Sequence, residues 1–167
     1  MNKKDTVVFD LDGTLLDTLE DLKNSVNYAM TQCGYPEHTL DEVRRYVGNG
    51  ILLLMQRAIP GGKDDPNFDK AFTLFKEHYG KHCNDTTKPY AGIMELLHTL
   101  KENNIKIAIV SNKADFAVKE LNAIYFKDLI PVAIGEKESE GIRKKPAPDT
   151  VIEALKQLGS TAENSVY

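Results

Sequence analysis

Tryptophan is absent from this chain of 167 residues, and cysteine is scarce, at two residues. Cys33 and Cys83 lie far apart in the sequence, so we expect both to be reduced and no disulfide to staple the fold. No apolar run reaches the length of a membrane span. The start of the chain, residues 1–5, leads directly into a short strand rather than into a signal peptide. These absences predict a cytoplasmic protein without membrane contact.

Positive charge is also in short supply. The chain has 21 Lys and Arg residues against 25 Asp and Glu residues, which gives a formal net charge of −4. Without a basic excess or a polybasic run, we expect no nucleic acid and no anionic membrane surface as a partner. The hydrophobic fraction of 41% suits one compact domain, or a domain with a small insert.

The most informative stretch follows a short, β-branched apolar run at residues 6–9, which predicts a buried strand. Asp10 and Asp12 stand at its carboxyl end, Gly13 breaks the strand, and Thr14 adds a hydroxyl. Ligands of open parallel sheets bind at this end of the strands. Two nearby carboxylates can divide the work of nucleophile and general acid/base, and they favour Mg²⁺. A solvated Asp-Gly turn is the structural alternative for the dipeptide alone.

Helical spacing dominates the chain from residue 17 to residue 85. The apolar residues predict helices at 22–33, 51–59 and 68–82, and Thr39 with Glu42 forms a capping-box pattern for another. From residue 86 onward strands and helices alternate, with strands predicted at 106–110, at 132–134 and from residue 165. This alternation implies a parallel sheet with right-handed crossovers. We therefore predict an α/β Rossmann-like core of residues 1–16 and 86–167, with an all-helical cap of residues 17–85 inserted as a lid.

The string from Asp10 to Thr18 resembles the first motif of the haloacid dehalogenase-like hydrolase superfamily. The resemblance implies that Asp10 is a nucleophile that forms an aspartyl-phosphate and that Asp12 is the general acid/base. Since dehalogenases of the superfamily lack the second acid, Asp12 favours phosphate chemistry. Residues 111–113, Ser-Asn-Lys, are similar to the second motif, whose hydroxyl binds the phosphoryl group. An N-cap for the following helix is the alternative interpretation.

Two further stretches extend the resemblance. Residues 145–149, Lys-Pro-Ala-Pro-Asp, are similar to the third motif of phosphoglycolate phosphatase-like members, in which the Lys neutralises the nucleophile and the phosphate. The insert resembles the four-helix cap of the same subgroup, and residues 46–50 with Arg57 look like its substrate-facing part. A glycine hinge beside an exposed Arg explains that part equally well.

The sequence thus predicts a phosphoric monoester hydrolase that acts on a small, phosphoglycolate-like substrate with Mg²⁺. The catalytic and metal-binding residues are Asp10 and Asp12. We expect phosphate to bind to Thr14, Ser111, Asn112 and Lys145, and substrate to meet Gly48, Asn49, Gly50 and Arg57 of the cap. Lys113, Arg143 and Lys144 are expected to be solvated, and no histidine is assigned a metal. The protein is expected to be a monomer or a homodimer.

Other interpretations remain open at this level. The same aspartates could serve a phosphosugar mutase or a nucleotidase of the superfamily. The fourth motif of the family, an apolar strand followed by Gly-Asp and further acids, has no match before Tyr167. A site with fewer carboxylates would bind Mg²⁺ weakly, so a catalytically impaired truncated form, or a non-catalytic domain, is a further hypothesis.

Overall fold

The computed structural model describes residues 4–167, so the first three residues of the predicted core segment lie outside the described part. The chain divides into two compact units. One unit runs to Leu16 and resumes at Pro89, and the other is Asp17–Lys88. Strands β2 (Leu16–Asp17) and β3 (Lys88–Pro89) lie where the chain passes from one unit to the other.

The first unit is built on a parallel sheet of four strands. These are β1 (Thr6–Phe9), β4 (Lys106–Ala114), β5 (Val132–Glu136) and β6 (Ser165–Val166), in the order β5-β4-β1-β6. Its helices are α5 (Ile93–Glu102), α6 (Asp115–Tyr125) and α7 (Asp149–Gln157). One apolar cluster contains Leu11, Leu97 and Leu121, and a second contains Val8, Ala108 and Leu155. The prediction of an α/β parallel sheet is confirmed.

The register of this sheet brings the segment after β1 and the second half of β4 to the same end of the sheet. Phe9 of β1 pairs with Ile109 of β4, and both strands run in the same direction. Asp10 and the residues that follow Ile109 therefore leave the paired region side by side. Because β1 lies between β4 and β6, the first acid stands near the middle of the sheet rather than at an open edge.

Strand β4 is longer than the sequence predicts. The sequence predicts a strand at 106–110, whereas the strand continues to Ala114 and α6 begins at Asp115. The pairing with β5 shifts register between Val110 and Ala114 and then resumes opposite Glu136. Residues 111–113 thus lie on a strand with an irregularity, and the N-cap interpretation of Ser111 is wrong.

The second unit is helical, as predicted, with its own apolar core. It contains α1 (Leu19–Gln32), α2 (Leu40–Tyr46), α3 (Ile51–Ala58) and α4 (Phe68–His82). The capping box of Thr39 and Glu42 is present at the start of α2. Buried residues such as Met30, Met55 and Phe75 form one cluster within this unit. Its assignment as a lid, with boundaries at residues 17 and 85, stays a prediction.

Buried Asp21 closes this unit at one end. Its carboxylate accepts hydrogen bonds from the backbone N–H and hydroxyl groups of Thr86 and Thr87, at 2.7–3.1 Å. Burial by itself raises the pKa of Asp21, but the hydrogen bonds from the two threonines outweigh it and lower the pKa below its usual value. The first turn of α1 is thereby tied to the segment that follows α4.

Candidate active site

Asp10 and Lys145 form the first of two ion pairs at the carboxyl edge of the sheet. Lys145 Nζ lies 3.0 Å from Asp10 Oδ1, and the same carboxylate oxygen accepts the Leu11 N–H at 2.8 Å. The Asp10 side chain keeps 40% of its surface exposed. A carboxylate that is held on one oxygen and open to solvent can present its other side to a reacting group.

Asp12 and Lys113 form the second pair. Lys113 Nζ donates to Asp12 Oδ1 at 3.0 Å, and the Lys113 side chain is only 3% exposed. The expectation that Lys113 is solvated is therefore wrong. The extension of β4 explains the difference, since residues two apart on a strand share a face and Lys113 follows Ser111 by two. A sequence prediction that extended this strand past Ser111 would have placed Lys113 on the same face as Ser111.

The other residues predicted to bind phosphate differ in their burial and in their hydrogen-bond partners. Ser111 is buried, and its hydroxyl accepts the backbone N–H of Lys113 at 3.2 Å. Thr14 is exposed in the turn after Asp12, where its backbone N–H donates to Leu11 O at 3.2 Å. The Asn112 amide is bonded to the backbone of Lys145. The structure thus brings Asn112 to Lys145, while the predicted phosphate contacts stay predictions.

The two basic residues that precede Lys145 in the sequence form ion pairs of their own. Arg143 is exposed and pairs with Asp149 at 2.8 Å, and this pairing keeps the pKa of the Asp149 carboxyl below its usual value. Lys144 is partly buried and pairs with Glu138 at 2.8 Å. Arg143 is exposed to water, as expected, whereas Lys144 is more buried than expected, and both engage acids outside the Asp10 site.

The predicted cap residues lie in the helical unit, in and after the loop that joins α2 to α3. Gly48 and Gly50 have φ angles of +117° and +86°, which favour glycine at both positions. Asn49 is exposed between them. Arg57 is exposed on α3, and its Nη1 donates to the Tyr46 carbonyl oxygen at 2.8 Å. The loop and Arg57 are thus joined within one unit.

The Asp10 and Asp12 carboxylates offer the oxygen donors that a hard divalent cation prefers. Across residues 4–167, no group of three or more His, Cys, Asp or Glu side chains is arranged to hold a metal. Two carboxylates fit a hard divalent cation that takes its remaining ligands from water.

A family model supplies the decisive comparison. The model described as haloacid dehalogenase-like hydrolase matches residues 7–167, and this match includes both aspartates and both lysines. The chain belongs to this hydrolase family. The resemblance found in the sequence motifs is confirmed.

Several similar proteins of the family have the same name. A "Phosphoglycolate phosphatase" of Thiobacillus denitrificans is 32% identical over 158 residues, which cover 92% of this chain and 69% of the relative. Another with that name, from Pseudomonas putida, is 30% identical over 96% of this chain and 60% of its own length. These matches indicate a phosphoric monoester hydrolase, and the chain spans about 60–70% of the length of these two relatives.

Solved structures agree with the family assignment. The crystal structure of a candidate phosphoglycolate phosphatase from Lactobacillus delbrueckii subsp. bulgaricus is 33% identical, with a TM-score of 0.88. The match covers 99% of this chain and 77% of that one. The fold of a haloacid dehalogenase-like hydrolase is thereby confirmed. In the described part of the chain, no helix has both the length and the apolar character that a membrane crossing requires.

Proposed function

We propose that this protein hydrolyses a small phosphate monoester through an aspartyl-phosphate on Asp10, with Mg²⁺ as the divalent cation. The observation that carries the proposal is the pair of Asp–Lys contacts at one edge of the sheet, each 3.0 Å long. One carboxylate is exposed enough to attack, and the other is held in a less exposed position two residues later. Chemically distinct surroundings suit distinct roles.

The proposed reaction has two steps. An Asp10 oxygen attacks phosphorus while the bond from phosphorus to the leaving oxygen breaks, and Asp12 gives its proton to that oxygen. Asp12 then takes a proton from water, which attacks the aspartyl-phosphate and releases inorganic phosphate. Lys145 and Lys113 hold the two carboxylates in place through both steps.

Charge balance supports a role for the cation. With Asp12 protonated for the first step, Asp10 and the two lysines leave a single net positive charge, which does not balance a phosphate dianion. Bound Mg²⁺ would supply positive charge to the phosphoryl oxygens. Asp10 and Asp12 are the residues that would hold it, with Thr14, Ser111 and Lys145 as the proposed contacts of the phosphate.

Phosphoglycolate is the first candidate substrate, because several relatives bear the name of a phosphatase for it. Its carboxylate suggests a role for Arg57 as a bidentate partner, beside Gly48, Asn49 and Gly50. The protein is proposed to act in the cytoplasm, as a monomer or a homodimer.

The direct test is release of inorganic phosphate from a panel of monoesters, with and without Mg²⁺. We expect hydrolysis that depends on Mg²⁺ and favours phosphoglycolate. Release of phosphate that is unchanged by chelation would contradict the metal proposal. Retention of the phosphoryl group on a bisphosphate product would instead support a mutase.

Arg57 allows a sharper test of the substrate proposal. Arg57→Gln removes the fork of charged donors and keeps a polar side chain of similar reach. We expect KM for phosphoglycolate to rise about 10-fold or more, in line with the roughly 1.5–3 kcal/mol of a charged hydrogen bond. KM for an alkyl phosphate that lacks a carboxylate should stay within about twofold. Equal effects on the two substrates would exclude recognition of the carboxylate by Arg57.

A further inference from the structure

Asn112 holds the backbone of Lys145 from a distant part of the chain. The Lys145 N–H donates to Asn112 Oδ1 at 2.9 Å, and Asn112 Nδ2 donates to the Lys145 carbonyl oxygen at 3.1 Å. The two residues are 33 positions apart in the sequence. An amide side chain that bonds both backbone groups of one residue fixes the orientation of that residue as well as its position.

The side chain of Lys145 is held by the same strand. Its Nζ donates to the Val110 carbonyl oxygen at 2.9 Å and lies 3.0 Å from Asp10 Oδ1. Val110 and Asn112 both belong to β4, which is hydrogen bonded to β1 and β5. Strand β4 therefore holds Lys145 at both ends, the backbone through Asn112 and the ammonium through Val110.

We propose that Asn112 is a positioning residue that acts through Lys145. It keeps the Lys145 ammonium on the Asp10 carboxylate, and this inference rests on the proposed function of Asp10 as the nucleophile. Lys145 has other contacts, since its Nζ also donates to the Tyr167 hydroxyl at 2.5 Å and the Ala147 N–H donates to the Lys144 carbonyl oxygen at 3.0 Å. Asn112 differs from them because it bonds both backbone groups of Lys145 itself. Displacement of a charged group by about 1 Å can reduce the rate about 100-fold.

The competing role is the direct phosphate contact that the sequence motif suggests for Asn112. The two roles use different atoms of the amide. The Lys145 contacts occupy Oδ1 and one of the two N–H groups of Nδ2, and a direct phosphate contact would need the other N–H group. The two roles also predict different responses to substitution, so they can be separated by kinetics.

A double-mutant cycle with Lys145→Ala tests the proposal, because that change removes the ammonium and keeps the backbone groups that Asn112 holds. In the otherwise unchanged protein, Asn112→Ala should lower kcat about 10- to 100-fold with KM within about threefold. In the Lys145→Ala background the same change should lower kcat less than about twofold. An equal loss in both backgrounds would overturn the proposal, because Asn112 would then act without the Lys145 ammonium.

Asn122→Ala is the matched control for loss of an amide contact. Asn122 Nδ2 donates to the Ile130 carbonyl oxygen at 3.1 Å and ties α6 to the segment before β5. We expect it to lower the melting temperature as Asn112→Ala does but to leave kcat within about twofold.

Amide hydrogen exchange of Lys145 separates this proposal from the proposed function, because it needs no turnover. It should accelerate in Asn112→Ala and not in Asn122→Ala, and equal protection in the two variants would overturn the role of Asn112. Phosphate release by the unchanged protein tests only the proposed function.

Discussion

Asp10 and Asp12 each form an ion pair with a lysine, but the two pairs differ in their burial. The side chains of the first pair are 40% and 17% exposed for Asp10 and Lys145, and those of the second are 17% and 3% for Asp12 and Lys113. An ammonium group this deeply buried is stable only beside a negative charge. We infer that the second pair is structural as well as functional, because either partner alone would leave a buried charge.

Removal of Lys113 tests this inference. Lys113→Met keeps the length of the side chain and removes its charge, so we expect a loss of up to roughly 3 kcal/mol in the free energy of unfolding. Activity should fall by at least about 10-fold, because Asp12 loses its anchor. Urea denaturation and phosphate release measure the two effects.

The control is an exposed pair of the same types. Lys119 pairs with Asp115 on α6 at 2.6 Å, and the Lys119 side chain is 58% exposed. Lys119→Met should cost less than about 1 kcal/mol and leave kcat unchanged. Similar losses for the two lysine substitutions would contradict the special status of the buried pair.

At the level of elements, a close approach between β5 and the start of α6 shapes the site strand. A Cβ atom added at Gly135 would lie 2.4 Å from Asp115 Cα and 2.6 Å from Lys113 O. The Gly135 N–H also donates to Asp115 Oδ1 at 2.9 Å. The absence of a side chain at Gly135 thus allows residues 113–115 to lie against β5, where β4 changes its register.

Gly135→Ala should therefore disturb Lys113 through the backbone. Two atoms of Asp115 and one of Lys113 would have to shift, so we expect a loss of roughly 1–3 kcal/mol, typical of overpacking. Activity should fall as well. Gly80→Ala is the control, since a Cβ there meets nothing within 4 Å and Ala favours the helix. Equal stability of the two variants in urea would show that the close approach does not matter.

The tie between α1 and the segment after α4 predicts a pH dependence. Because the folded pKa of Asp21 is lowered, its contribution to stability is present above its ordinary pKa of 3.8. That contribution is lost as pH falls below 3.8 through the folded pKa. Asp21→Asn should cost roughly 1–3 kcal/mol at pH 7, because amide N–H groups would meet the donors of Thr86 and Thr87.

Unfolding curves at several pH values measure this effect. The stability difference between the unchanged protein and Asp21→Asn should be constant near neutral pH and shrink below pH 3.8. Asp69→Asn makes the same change on an exposed part of α4 and serves as the control. A difference that stays constant down to the most acidic pH would contradict the lowered pKa.

At the scale of the whole molecule, the helical and α/β parts could be recognised from the sequence because their periods differ. Helical spacing at Phe68, Phe75 and Tyr79 and the β-branched run before Asp10 each predict an element that the structure contains. Such patterns depend on which residues are buried locally. Ile152 shows their limit, since it is a large apolar residue of α7 and yet it is 58% exposed.

The ion pair between Asp10 and Lys145 was predictable because each residue lies in a recognisable motif, at the end of β1 and in the segment before α7. The catalytic roles of Asp10, Asp12 and Lys145 stay predictions. Contacts that depend on how distant backbone segments pack could not be predicted from such motifs. The burial of Lys113 depends on the continuation of β4 and on the absence of a side chain at Gly135. The contact of Asn112 with Lys145 depends on a loop 33 residues away.

The central claim is that Asp10 carries a covalent phosphoryl group during turnover. The most direct measurement is to mix the protein in excess over phosphoglycolate with Mg²⁺, quench in acid within one turnover, and locate the added phosphate by peptide mass mapping. The account predicts a phosphorylated peptide that contains Asp10, formed before inorganic phosphate is released and absent in Asp10→Asn. Full phosphate release by Asp10→Asn, or a phosphoryl group on another residue, would contradict it.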